Sequence, residues 1–391
     1  MKRFVLMLSS FVLLLLVMLV SPSVRVSAAT LTVGEQHITS DSVDVDLSTA
    51  TPEEFDRFLQ LLPELTSLQH VGLGFAPNAL EPMFTWEQVR KLSEGVPKGA
   101  EIDYTFQMYG YRFHLDDRIL NLNHILFEDN GQLACAIADC MRNLEILDMD
   151  SCGIGNERMV EIRDRYPDVD VVWRVRIGRD YATRTDETRL VISNPDRGGD
   201  LDTPESIEGL YYCTKLKYLD MGHNYKLSDI SFVKNMPDLE VLIIAMTNIK
   251  DISPLAECPN LNYLEYQTSS ACDLRPLSGL KNLKDLNICM NLELRDIRPI
   301  MDLDLDRLYI GCYVPIPREQ IETFKSLHPN CIVNTTTDDP TNEGWRMDMI
   351  DGVWSYVPRY AQLRLEFMYD NFPQCYAYTE NDPRAWGRFE Y

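Results

Sequence analysis

The sequence predicts an α/β solenoid, a stack of short units sharing one parallel β-sheet. Three observations carry that expectation. A hydrophobic phrase returns five times between Leu216 and Ile310: Leu216-Lys-Tyr-Leu219-Asp-Met221, Leu239-Glu-Val-Leu242-Ile-Ile244, Leu261-Asn-Tyr-Leu264-Glu-Tyr266, Leu283-Lys-Asp-Leu286-Asn-Ile288 and Leu305-Asp-Arg-Leu308-Tyr-Ile310. A longer unit recurs upstream at an offset of 70 residues, seen in Pro97 and Pro167, Tyr111 and Tyr181, and Asp116 and Asp186. The chain of 391 residues is 45% hydrophobic and 25% charged, a balance that supports a folded core and excludes a disordered tail.

The first leucines of the five phrases fall 23, 22, 22 and 22 residues apart. This is the apolar skeleton of a leucine-rich repeat. One such unit cannot bury its apolar edge alone, so the units must stack. The expected form is a leucine-rich-repeat horseshoe with a parallel concave β-sheet, longer helix-bearing repeats N-terminally and short 22-residue repeats C-terminally.

Residues 1–29 have the layout of an export signal. Lys2 and Arg3 precede the apolar run Phe4–Val20, Pro22 ends it, and Ala28 or Ala29 offers a cleavage point. The run nearly spans a membrane in length, so an uncleaved anchor is the alternative. Cleavage implies a secreted protein with no stable membrane insertion afterwards; retention implies a cell-surface one.

Residues 30–200 read as duplicated strand–helix–strand modules. Leu68-Gln-His-Val71-Gly-Leu73 is echoed by Leu144-Glu-Ile-Leu147-Asp-Met149. Helical stretches follow at Thr85–Gly95 and Asn156–Arg165, then apolar strands at Glu101–Met108 and Val169–Ile177. Asp41–Leu47 resembles the tail of a third copy and serves as an N-terminal cap. Thr51 and Asn156 are the expected helix caps.

A turn-rich link, Asn194–Pro204, leads to the short repeats of residues 201–334. Each has a polar residue at its ninth position, Asn224, Thr247, Ser269 or Asn291, placed to satisfy backbone groups as the chain leaves the sheet. Phrases such as Asp251-Ile-Ser-Pro-Leu255 follow, whose proline allows a tight 3₁₀ turn and no long helix. Pro317–Val333 repeats the helix–proline–strand pattern and closes the stack. Residues 335–391 form an aromatic-rich cap or extension containing Trp345, Trp354 and Trp386, with a helix expected over Arg359–Met368.

The phrase Leu-x-x-Leu-x-Ile-x-x-(Asn/Thr)-x-Ile-x-Asp-Ile-x-Pro-Leu, clearest at residues 239–255, resembles the repeats of bacterial internalin-type surface and secreted proteins. The resemblance covers residues 210–312 and implies protein binding on the concave sheet.

In each phrase the first, fourth and sixth side chains point to the core, and the third, fifth, seventh and eighth to the concave side. The candidate ligand-binding set on that side is Tyr218, Asp220, His223, Val241, Ile243, Met246, Tyr263, Glu265, Asp285, Asn287, Met290, Arg307 and Tyr309. Aromatic and Met residues ringed by charge are the composition of an interface. Two accounts fit this patch: an external protein or glycan ligand, or cover supplied by the C-terminal segment or a second copy. A self-assembled surface scaffold, with the C-terminal segment docking on a neighbour, is the alternative function.

The net charge of −23 argues against nucleic-acid partners and anionic lipid. The six histidines form no HExxH, no nucleophile or phosphate-binding motif occurs, and the ten cysteines contain no CxxC pair. No catalytic residue, metal site or cofactor is therefore expected, with a hydrolase using an unrecognised carboxylate pair as the remote alternative. The cysteines are expected mostly as free buried thiols.

Overall fold

A computed structural model describes residues 30–179, 181–193 and 201–367. Residues 1–29, where an export signal is expected, most of the turn-rich link and residues 368–391, including Trp386 and Cys375, lie outside the described residues. The chain divides into two compact units, one of described residues 30–121 and 127–147, the other of 122–126 and 148–367.

The N-terminal unit opens with the antiparallel pair β1 (Leu31–Val33) and β2 (Gln36–Ile38), then β3 (Asp44–Asp46). Helix α1 (Pro52–Leu61) starts where Thr51 predicts it, through a reciprocal capping box with Glu54. Phe55 and Phe58 are its fully buried anchors. Strand β4 (His70–Ala76) and helix α2 (Trp86–Gly95) follow, the helix capped by Thr85 and Gln88. Strands β5 (Glu101–Met108) and β6 (Tyr111–His114) form a hairpin, and β7 (Ile119–Asn121) begins the next repeat. The sheet order is β3-β4-β5-β6, parallel except for the last pair. Phe55 stacks on Phe84 at 4.3 Å, and Trp86 packs edge-on to Phe106 at 5.0 Å, filling the helix–sheet core. Helix α3 (Gln132–Ala138), which the sequence reading did not anticipate, precedes β8 (Ile146–Asp148). Its Ala-Cys-Ala-Ile-Ala composition lacks the polar face that marks an amphipathic helix.

In the C-terminal unit, α4 (Asn156–Arg165) leads to β9 (Asp170–Val172) and the hairpin β10 (Arg174–Ile177) and β11 (Tyr181–Arg184). Asn156 is the first helical residue rather than the cap; its side chain instead accepts a hydrogen bond from the Trp173 indole at 3.1 Å. Two backbone contacts recur in both long stretches. Leu115 N–H donates to Tyr104 and Thr185 N–H to Trp173, both at 2.9 Å, and Asp117 and Glu187 each donate to the carbonyl three residues back.

The rest of this unit is the short-repeat array. Strand β12 (Arg189–Val191), the single turn α5 (Pro204–Ile207), β13 (Tyr218–Asp220), β14 (Val241–Ile243), β15 (Tyr263–Glu265), β16 (Asp285–Asn287), β17 (Arg307–Tyr309), α6 (Arg318–Leu327) and β18 (Ile332–Asn334) follow in order. The strands β12 to β18 make a seven-stranded parallel sheet with unbroken register: Leu219, Leu242, Leu264, Leu286 and Leu308 align across it and are fully buried. The chain is a leucine-rich-repeat protein by this geometry.

The turn chemistry matches the repeat phrase. Asp229, Asp251, Asp273 and Asp296 each accept the backbone N–H two residues on, at 2.7–2.9 Å, and so start the 3₁₀ turn that follows. At the ninth position, Asn291 donates to the carbonyls of Tyr266 and Ile288 and accepts from the N–H groups of Ser269 and Ala271. Cys152 fills the same place upstream and donates its thiol to Leu122 O at 3.1 Å. The eighth-position residues His223, Met246, Thr268 and Met290 all adopt a left-handed backbone (φ 51–64°), which turns the chain out of the strand.

The chain ends, within the described residues, in the hairpin β19 (Met347–Ile350) and β20 (Val353–Tyr356) and helix α7 (Pro358–Glu366). Among the described residues nine cysteines stand outside any disulfide, six of them buried. No helix among the described residues is long and apolar enough to cross a membrane.

Candidate functional site

The third- and fifth-position face of the seven-stranded sheet is not open. Residues 337–367 form a strap across it. Pro340 O accepts from Asn287 at 2.6 Å, Trp345 lies over β15 and β17, Arg359 reaches Asp285 of β16 and Asn262 just before β15, and Phe367 rests on Tyr218 with its carbonyl accepting from Arg189 at 2.6 Å. The strap therefore crosses the sheet from its C-terminal to its N-terminal strands. Trp345, Val357, Tyr360, Leu363 and Phe367 merge with Tyr218, Val241, Ile243, Tyr263 and Tyr309 into one apolar cluster.

Buried charge is matched by charge beneath the strap. Glu265 receives Arg346 Nε at 2.7 Å, the Trp345 indole at 2.8 Å and the Tyr263 hydroxyl at 2.5 Å. Burial pushes its carboxyl up, but Arg346, Tyr263 and Trp345 together outweigh that, and it stays below its usual range. Asp285 is held between Arg307 Nε at 2.6 Å and Arg359 Nε at 2.7 Å. The Arg307 guanidinium lies 4.3 Å from the Trp345 ring centre. Asp220 has no such partner. Among the described residues it accepts the N–H of Gly222 at 2.9 Å, and burial raises its carboxyl to about 6.

This arrangement corrects the surface reading of the sequence-derived set. Tyr218, Asp220, Val241, Ile243, Tyr263, Glu265, Asp285, Asn287, Arg307 and Tyr309 are buried, while His223, Met246 and Met290 are half-buried along the turn edge. The strap brings the first ten together as a covered core, so an external ligand does not meet them in this arrangement. Residues 345–367 of the C-terminal segment dock on the sheet of their own chain. Trp345, Arg346 and Arg359 are the residues that sequence reasoning did not assign to this face. Their signal was the aromatic enrichment of the C-terminal segment.

Among the described residues nothing covers the equivalent face of the N-terminal sheet. Register places Asp44, His70 and Glu101 in one row across β3, β4 and β5, and Asp46, Gly72 and Asp103 in the next. Phe75, Thr105 and His114 form a third row, with Gln107 and Arg112 beyond. Asp44, Asp46, Glu101, Asp103 and Arg112 are exposed, and Phe75 is 47% exposed. Their opposite neighbours Val45, Val71, Ile102, Tyr104 and Phe106 are buried, so this is the solvent side of a half-buried sheet. A bulge between Gly72 and Gly74 shifts the register and turns Phe75 to this side. Gly74 has φ +74°, and a Cβ there would come within 2.9 Å of Ser48 Cβ. His114 Nε2 lies 3.2 Å from Asp103, and Arg112 lies 5.1 Å from the Phe75 ring. Ser48 hydrogen bonds hold the Asp46 carboxyl below its ordinary range. The alternation Glu101-Ile-Asp-Tyr-Thr-Phe-Gln-Met carried this face in the sequence.

Among the described residues no group of three or more His, Cys, Asp or Glu side chains is placed to hold a metal ion.

No family model matches the chain, and no curated protein matches it. Solved structures do. An internalin from Listeria monocytogenes is similar over 72% of this chain and 59% of its own length, at 19% identity and a TM-score of 0.31. A second internalin from that bacterium is similar over 65% of this chain and 86% of its own, at 18% identity and a TM-score of 0.30. A leucine-rich-repeat protein from Leptospira interrogans is similar over 70% of this chain and 74% of its own, at 15% identity and a TM-score of 0.33. These values describe likeness of repeat architecture and nothing finer.

Proposed function

We propose that this chain is an exported leucine-rich-repeat recognition protein that captures a protein ligand on the open face of its N-terminal sheet. The carrying observation is the contrast between two faces of the same type. In the C-terminal unit that face is occupied by the chain's own strap; in the N-terminal unit it presents an exposed aromatic ring amid exposed charge. A face that is filled gives rigidity, and a face that is open gives contact area. The layout of residues 1–29 supports export, through a charged start, an apolar run and small residues at its end.

The test is capture from native secretions with the mature chain as bait, in three forms: wild type, Phe75→Asp, and Lys325→Ser as a control at an exposed position of α6. Loss of the captured protein with Phe75→Asp alone, at unchanged melting temperature, supports the reading. Equal capture by all three overturns it. N-terminal sequencing of the protein recovered from culture medium tests export, with Ala29 or Thr30 expected as the first residue.

A further inference from the structure

The open face has a chemistry that narrows its partner. Gly72 stands at its centre, with Asp46 on one neighbouring strand and Asp103 on the other. Adjacent strands lie about 4.8 Å apart, which sets the two carboxylate-bearing backbones about 10 Å apart across a floor with no side chain. The floor is flanked rather than filled: a Cβ on Gly72 would meet Asp46 Oδ1 at 3.6 Å and His70 Cε1 at 3.9 Å, ordinary van der Waals contact. One row along, Asp44 and Glu101 add two more exposed carboxylates. On the other side stands Phe75, whose ring already has a guanidinium, that of Arg112, at 5.1 Å. The cations of the face itself are Arg112 and, when protonated, His70 and His114, against four carboxylates.

The covered sheet supplies an independent observation on what such a face accepts. There, each carboxylate paired with the strap is met by an arginine, Glu265 by Arg346 and Asp285 by Arg359, with Trp345 packed between Tyr263 and Tyr309 beside them. Planar guanidinium groups match carboxylates in fork geometry and lie on aromatic faces.

We propose that the N-terminal face is a seat for an extended, arginine-bearing segment of a partner protein, with one arginine placed over Gly72 between Asp46 and Asp103 and a neighbouring aromatic side chain against Phe75. This rests on the preceding assignment of recognition to that face and adds the class of ligand. A lysine would supply the charge but only one point of it, so arginine is the preferred anchor.

The experiment titrates the full mature chain with the synthetic peptide Gly-Ser-Trp-Arg-Ser-Trp-Arg-Ser-Gly, and with the same peptide carrying citrulline for arginine, which keeps the shape without the charge. The expected result is saturable binding of the arginine peptide, at least tenfold tighter than the citrulline peptide and weakened by salt. Asp46→Asn with Asp103→Asn should weaken it at least tenfold. Gly72→Val should do the same by filling the floor, at a melting temperature matching wild type. Equal binding of the two peptides, no binding of either, or indifference to both sets of variants overturns the proposal. Self-association abolished by the same variants assigns the face to a second copy and overturns it as well. The two levels separate in the capture assay. Loss with Phe75→Asp but not with the Asp46, Asp103 and Gly72 variants leaves the face as the recognition surface and removes the basic anchor. Retention with all of them removes both.

Discussion

Trp345→Ala tests the strap most directly. The side chain is fully buried between Tyr263 and Tyr309, under the Arg307 guanidinium, and its indole N–H donates to the buried Glu265 carboxylate. Truncating a buried Trp costs about 3–5 kcal/mol. The lost hydrogen bond to a charged acceptor is part of the same loss, although Arg346 and Tyr263 still satisfy Glu265. The leucine core of the sheet lies on its opposite side, so this cost falls on strap docking and leaves the repeat stack folded. A loss of about 4 kcal/mol raises the undocked population roughly a thousandfold. The assay is limited trypsin digestion, whose rate follows that population when reclosing outpaces cleavage. Cuts after Arg346 and Arg359 should accelerate by about three orders of magnitude, with far-UV circular dichroism unchanged. Trp345→Phe keeps a ring in the stack but loses the N–H, and should accelerate them by about ten- to thirtyfold, for a loss near 1.5–2 kcal/mol. Cleavage of the Ala variant within threefold of wild type would refute the idea that this side chain anchors the strap.

Other consequences are equally open to measurement. Asn291→Ala strips partners from two carbonyls and two N–H groups in the sheet-exit turn, and should lower unfolding stability by about 2–4 kcal/mol in urea titration. Gly74→Ala forces a side chain into a left-handed position against Ser48 and should cost about 1–3 kcal/mol, while Gly72→Ala, without that contact, should be near neutral in the same titration. Asp220 is raised by burial to about 6, so its ionised form opposes folding at neutral pH. The folded state takes up its proton before the unfolded state does. Its unfavourable contribution is therefore full above about 6, shrinks as pH falls from 6 toward the ordinary carboxylate range, and is gone below that. Asp220→Asn should stabilise the protein at pH 7 by on the order of 2 kcal/mol and lose that advantage at pH 4, and an advantage that does not fall with pH would contradict the assignment.

The parts of the fold that depend on local chemistry were legible in the sequence. Repeat spacing located β13 to β17, the Asp-x-x-Pro phrases located the 3₁₀ turns, and Thr51 and Thr85 began their helices. The fate of the sheet face was not legible, because it is decided at long range. Glu265 and Trp345 meet across 80 residues of sequence. On a strand, a fifth-position glutamate looks the same whether water or an arginine will answer it. Tyr263 and Ile243 were correctly marked as too apolar for a solvated face, but nothing local separates a ligand-binding patch from one reserved for the chain's own strap. The N-terminal face was passed over for the converse reason. Taken strand by strand, its carboxylates have nothing to set them apart from solvated positions; only the register gathers them around Gly72. Asn156 shows the same limit on a small scale, since a residue suited to capping was taken by the Trp173 indole.

The strap also alters how the repeat array can come apart. A bare stack holds each repeat only to its neighbours, so it frays from an end, one unit at a time. Residues 337–367 touch β12, β13, β15, β16 and β17 directly, and they close over β14. A terminal repeat cannot peel away without releasing a brace shared with the far end of the sheet. The expected behaviour is a single sharp unfolding step for the six strands β12 to β17 in place of stepwise erosion, with hydrogen-exchange protection nearly level across them.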